Sequence, residues 1–280
     1  MEGNAILSFG RLKGVIDPFY FGESGKRLFG CYHAAEAEPR RGCGVVLCYP
    51  MGHEYIQFHR AYRQLALQLS RVGFPVLRFD FFGCGDSAGN GEEARIHQWL
   101  SDISTATDEM KRRSDVAQVC LVGLRLGGTL SVMVGAERTD ISDMVLWDPV
   151  VRGTAYVQRL TTLHQKMVRF AHVKEKSDVR GEKPPEILGF PYTEALLVDI
   201  QNMDLLSIQA KPANNILVIQ SDEETDQRPL QENLESMNSR VDFLHFPTPQ
   251  IWVWIEDFAK VVVPYQILQS VVSWMCEAYP

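Results

Sequence analysis

Six cysteines are scattered through the 280 residues, and no two of them form a C-x-x-C pair. That excludes the redox and zinc patterns built on such pairs, so reduced thiols and a cytoplasmic location are expected. No apolar run approaches the roughly 20 residues that cross a bilayer, so no membrane span is expected. The opening Met1-Glu2-Gly3-Asn4 lacks the basic start of a secretory leader, and the apolar stretch after it is short. Basic residues are in deficit, with a net charge of −7, which argues against a nucleic-acid partner. Internal repeats and low-complexity tracts are absent, and no residue cluster asks for a metal or another cofactor. The length suits one α/β domain with an insertion.

Within those bounds, apolar runs and helical stripes alternate. Residues 44–49 (Gly-Val-Val-Leu-Cys-Tyr) are continuously apolar, as in a strand buried on both faces of a parallel sheet. An amphipathic helix follows, with Phe58, Tyr62, Leu65, Ala66 and Leu69 on one face and Gly73 as a stop. A strand at 75–81, a helix carrying Ile96, Trp99, Ile103 and Met110, and a strand at 144–147 continue the pattern. Weaker strand signals lie at 5–12 and 27–33. After Asp148-Pro149 the alternation stops, and residues 152–210 read as helices only, around a basic loop at 174–185. Strand 216–220, a helix near 229–237, strand 241–246 and a final helix from about Pro264 complete the chain. The expected division is a core of 1–150 with 211–280, and a helical lid inserted at 151–210.

One stretch organises the rest. The run Val119-Cys120-Leu121-Val122 breaks at Gly123, and Gly127-Gly128 open an apolar helix. This strand–turn–helix shape is similar to the nucleophile elbow G-x-S-x-G of α/β-hydrolases, where backbones approach closely and the middle residue is strained. The middle residue here is Arg125, whose guanidinium only donates hydrogen bonds and cannot attack a carbonyl.

Four segments form an ordered set: Tyr49-Pro50-Met51-Gly52-His53-Glu54-Tyr55, residues 77–89 ending Gly83-Cys84-Gly85-Asp86-Ser87-Ala88-Gly89, the elbow, and Leu146-Trp147-Asp148-Pro149. The set resembles an α/β-hydrolase subgroup of serine-aminopeptidase-like proteins that includes the hydrolases associated with exosortase A systems. Members of that subgroup often carry Arg at the elbow and accompany acyl-activating enzymes and carrier proteins. The resemblance implies an α/β-hydrolase fold: a mostly parallel sheet flanked by helices, with an inserted helical lid. It implies a ligand site beyond the carboxyl ends of the strands. In a working member an acid follows the strand at 216–220, and Ser221-Asp222-Glu223-Glu224 places a carboxylate there, read as Glu224. A histidine would follow the last strand, but none occurs after His245, which lies inside that strand.

Arg125 then has two readings. Its guanidinium, with the helix amino end behind it, binds a carboxylate or phosphate; or it forms an internal ion pair with Asp148 or Glu224. His53 near a carboxylate is a candidate base, against the plainer reading of a loop histidine bonded to backbone. Met51, Gly52 and Leu126 are candidates for polarising a carbonyl through backbone N–H groups. Glu54, Cys84 and Trp252 are candidate ligand contacts, Cys84 also as a displaced nucleophile. Two functions follow: an atypical hydrolase acting on an acyl ester, thioester or carboxylate-bearing small molecule, free or carrier-bound, in a biosynthetic pathway; or a non-catalytic relative that binds an acyl ligand or a partner protein. Residues 152–183 hold eight basic and three acidic residues, so an acyl carrier protein is a candidate partner, against a plain solvated face.

Overall fold

A computed structural model describes residues 16–170, 186–247 and 263–280. The signal at 5–12, the basic loop at 174–185 and Trp252 lie outside the described residues.

The sheet has eight strands. They are β1 (Ile16–Phe21), β2 (Leu28–His33), β3 (Cys43–Cys48), β4 (Val76–Phe79), β5 (Gln118–Leu124), β6 (Ile141–Trp147), β9 (Asn215–Gln220) and β10 (Arg240–His245). Their order across the sheet is β1-β2-β4-β3-β5-β6-β9-β10. The pairs from β4 to β10 are parallel, whereas β1 and β2 attach antiparallel at one edge. β3 and β4 are buried at every position because helices cover both faces, which is why they read as unbroken apolar runs.

One face packs on α1 (His53–Arg71) and α7 (Tyr265–Ala278), whose Phe58, Tyr62, Leu65, Ile267 and Val271 meet Val45, Leu47 and Val122. The opposite face packs on α2 (Ile96–Ser114) and α3 (Leu126–Gly135), through residues such as Trp99, Ile103 and Leu130 against Val46 and Leu121. Fully burying a large apolar side chain is worth about 1.5–3 kcal/mol, so these two layers dominate stability. α6 (Arg228–Ser236) lies between β9 and β10 in the chain.

Between β6 and β9 the chain forms α4 (Gly153–Phe170), a two-residue-per-strand hairpin of β7 (Glu186–Ile187) and β8 (Phe190–Pro191), and α5 (Glu194–Gln201). This region therefore holds more than helices. The hairpin turns at Leu188 and Gly189, both at positive φ (55° and 82°), the backbone that a tight two-residue connection demands. The early strand β1 also differs from the sequence reading. Its Pro18 argues against a strand, yet β1 is an edge, where a missing N–H costs no ladder bond.

Candidate active site

The loops at the carboxyl ends of β3, β5, β6 and β9 meet α4. At the end of β5 the chain turns so sharply that any side chain on Gly123 would collide with the backbone of Gly128, and one on Gly127 with the carbonyls of Cys48 and Tyr49. Both glycines are therefore required by close approach. Arg125 sits at the apex with φ 51° and ψ −122°, a strained conformation for a non-glycine residue that costs on the order of 1–3 kcal/mol. Its N–H donates to the Trp147 carbonyl (3.0 Å), which ties the apex to β6.

The Arg125 side chain is buried, 3% exposed. Its Nε donates to Glu54 Oε1 (3.0 Å) and its Nη1 to the Asp148 carbonyl (3.1 Å), with Asp222 Oδ2 at 3.9 Å. Glu54 is 1% exposed, and its second oxygen accepts from the Tyr156 hydroxyl of α4 (2.9 Å). The guanidinium carbon also lies 5.6 Å from the Tyr156 ring centroid, within cation–π range. Burial works against this charge, but the Glu54 carboxylate, with lesser help from Tyr156 and Asp148, holds the guanidinium's pKa above its ordinary value.

Asp148, with φ 41°, is completely buried and turned the other way. Its oxygens accept from the N–H groups of Ser221 (2.8 Å) and Asp222 (3.0 Å) and from the Ser221 hydroxyl (2.6 Å). Burial raises its pKa, opposed by the Ser221 bonds and Arg125. Asp222, two residues beyond β9, is also completely buried and is held by Arg159 of α4. Burial would raise its pKa, yet the hydrogen bond and charge of Arg159 bring it below the usual value. Glu224 is exposed and lies 3.5 Å from Arg159 Nη2.

Of the residues singled out from sequence, Arg125, His53, Glu54 and Glu224 line one cavity of about 250 Å³, together with Tyr156, Arg159 and Lys166. Asp148 lies beneath it. His53 and Glu54 open α1 rather than lying in a loop, and the preceding Met51 and Gly52, with Cys84, line a second cavity of about 280 Å³ walled by Tyr49, Tyr55, Phe81, Trp99 and Phe190. Leu126 is buried in the core. Burial, together with Asp80 and Asp102, pushes the Cys84 thiol up to about 12, far from a reactive thiolate.

The anionic partner at Arg125 is thus the Glu54 carboxylate. Asp148 meets Arg125 through its carbonyl, and Glu224 pairs with Arg159. Sequence reading missed Tyr156, Arg159 and Asp222. Tyr156 lies in the stretch 152–210 that reads only as helices, although Arg159 three positions later puts a cation on the same helix surface. Asp222 was visible beside Glu224, but which of two nearby carboxylates turns inward depends on the loop's path. Among the described residues, no group of His, Cys, Asp and Glu is arranged to hold a metal ion.

The serine aminopeptidase, S33, family matches residues 41–211. Among curated proteins, the mitochondrial palmitoyl-protein thioesterase ABHD10 of Homo sapiens is 31% identical over 88 residues, 31% of this chain and 28% of that protein. The matched stretch therefore spans little more than a quarter of that relative. Among solved structures, Est1E from Butyrivibrio proteoclasticus with bound ferulic acid is similar with a TM-score of 0.65 at 16% identity, over 92% of this chain and 98% of that one. Alpha/beta hydrolase domain-containing protein 10 from mouse is similar with a TM-score of 0.58 at 15% identity, over 94% and 99%.

Proposed function

Since the chain belongs to the serine aminopeptidase, S33, family and has the α/β-hydrolase fold, we propose that it binds an acyl- or carboxylate-bearing small molecule without forming an acyl-enzyme. The observation that carries this reading is the elbow itself, where Arg125 is 3% exposed and bonded to Glu54 and to the Asp148 carbonyl. A permanently protonated group occupies the nucleophile's place, and a buried carboxylate neutralises it. Nothing imidazole-like follows in sequence beyond His245, which ends β10 at an exposed position. Two of three roles in nucleophilic acyl transfer are then unfilled.

The 88-residue likeness to a palmitoyl-protein thioesterase supports an acyl group as the ligand's class. Delivery of the ligand on an acyl carrier protein, within a biosynthetic pathway, is part of the same proposal, and the basic excess of residues 152–183 supports it. All six thiols are free, which supports a reducing compartment such as the cytoplasm. Among the described residues, no helix is long and apolar enough to cross a membrane.

A second reading keeps catalysis. His53 and Glu54 line the same cavity as Arg125, so water activated by His53 would attack a bound thioester directly, with no covalent intermediate. One experiment separates the two. The purified chain is treated with a fluorophosphonate probe and assayed on acyl-pantetheine thioesters and p-nitrophenyl esters. The binding reading expects no labelling and no turnover. Labelling of any serine overturns it, and turnover that disappears in His53→Gln establishes the second reading instead.

A further inference from the structure

The guanidinium of Arg125 is committed to buried partners, Glu54 and the Asp148 carbonyl, so a ligand anion would have to break that pair to reach it. Arg159, three positions after Tyr156 on α4, is held differently. Its Nη1 bonds the completely buried Asp222, whereas its Nη2 meets Glu224 at 3.5 Å, and the Glu224 side chain is 71% exposed. A long contact to a carboxylate standing in water is weakly held, because solvent screens it and ordering the side chain costs entropy. Of the two carboxylates, Glu224 is the exchangeable one.

The surroundings favour exchange with an outside anion. Arg125, Tyr156, Arg159, Thr162 and Glu224 line both the cavity of about 250 Å³ and a neighbouring one of about 570 Å³. The contact between Arg159 and Glu224 therefore lies where the two cavities adjoin. α4 itself contains no acidic residue. Lys166, seven positions after Arg159 and so about 10 Å further along the same helix face, lines the smaller cavity. The other carboxylate lining that cavity, Glu54, is already taken by Arg125 and Tyr156. In the larger cavity the charges of Arg152 and Asp226 offset each other, and Val150, Val151, Ala155 and Leu206 give it an apolar wall. Its volume is within the roughly 300–1,000 Å³ typical of small-molecule sites. An anion thus belongs in the smaller cavity and an apolar chain in the larger one.

We propose that the carboxylate or phosphate end of an acyl-bearing ligand replaces Glu224 at Nη2 of Arg159 and is shared with Lys166, while the ligand's chain lies in the larger cavity. One ion pair is exchanged for another: Glu224 swings into water, and Arg159 keeps Asp222. This rests on the acyl-binding reading above and names the polar end of the ligand. Anion recognition then belongs to α4, and the Arg125–Glu54 pair stays intact.

The test uses the full chain and calorimetry with octanoate, octyl phosphate, the neutral octanamide and inorganic phosphate. Both octyl anions should bind about tenfold more tightly than octanamide, the usual worth of a hydrogen bond to a charged group. That lead should shrink as salt rises. Glu224→Gln removes the competing carboxylate and should tighten both octyl anions several-fold without changing octanamide. Lys166→Ala should weaken both anions several-fold, again sparing octanamide. Glu224 and Lys166 are exposed, so both variants should melt with the wild type, which separates loss of ligand from loss of fold. The tighter of the two octyl anions identifies the head group. Octanamide binding as tightly as the anions overturns the proposal and leaves the acyl-binding reading standing. Anion affinity that fails to rise in Glu224→Gln, or fails to fall in Lys166→Ala, also overturns it, as does no binding of any probe. Inorganic phosphate that responds to both variants and binds as tightly as octyl phosphate would support the oxyanion site and overturn the acyl-binding reading instead.

Discussion

At the scale of single residues, the molecule turns on one buried charge pair. Arg125 and Glu54 are 3% and 1% exposed, so each neutralises a charge that is largely withdrawn from water. Removing one partner leaves the other buried and uncompensated, which typically costs about 3–5 kcal/mol, whereas replacing both by apolar groups is often neutral. Arg125→Met and Glu54→Leu should therefore each lower the free energy of unfolding by about that amount. The double variant should recover more than half of the combined loss. Urea unfolding of the three proteins checks this, and single losses below about 1 kcal/mol would mean that water or another group takes over the exposed partner's role.

At the scale of elements, backbone contacts decide where α4 and α5 lie. Gly153 opens α4, its N–H donates to the Met203 carbonyl (2.9 Å), and a Cβ there would run into the Ile200 carbonyl of α5. Carbonyl oxygens of a helix cannot rotate aside as a side-chain tip can, so the helices must separate. Gly153→Ala should destabilise by about 1–3 kcal/mol, the usual cost of overpacking. It should also loosen Tyr156 from Glu54, because Tyr156 is in the first turn of α4. Thr154→Ala, at an exposed position of the same turn, is the control. Equal melting temperatures for the two variants would show that α4 does not depend on this approach.

For the molecule as a whole, two buried groups on different elements set opposing responses to acid. Burial, reinforced by Arg78, pushes the His33 imidazole down to about 4. Between there and its unfolded value of about 6.5, the unfolded chain binds more protons, so stability falls as pH drops through that window, by up to about 3 kcal/mol. Burial also raises the Asp102 carboxyl to about 6, against the opposing bonds from the Phe82 N–H and Gln98. Between about 3.9 and 6 it is the folded chain that binds more protons, so this group makes the protein more stable as pH drops. The two contributions oppose each other between about pH 6 and 4. His33→Gln should gain stability relative to the wild type over that interval, and Asp102→Asn should lose it. Parallel profiles for all three proteins would refute the assignment of both groups.

Local chemistry made much of this legible in advance. Strands buried on both faces announce themselves as apolar runs at β3, β5 and β6, and amphipathic stripes mark α1 and α2, because those signals depend only on neighbours along the chain. The glycines at 123, 127 and 128 disclosed the elbow, and Arg125 within it disclosed the missing nucleophile. The reach of each site side chain could not be read the same way. Glu54 rather than Asp148 or Glu224 supplies the carboxylate at Arg125, because Asp148 is saturated by Ser221 and Asp222 and Glu224 turns outward. Tyr156 and Arg159 enter the picture only when α4 folds back over the sheet. Those contacts join residues 63 positions apart, from Arg159 to Asp222, and 102 apart, from Glu54 to Tyr156. Periodicity carries no information over such separations, so the pairing of buried polar groups was decided by tertiary packing, where every buried donor competes for the acceptors within reach.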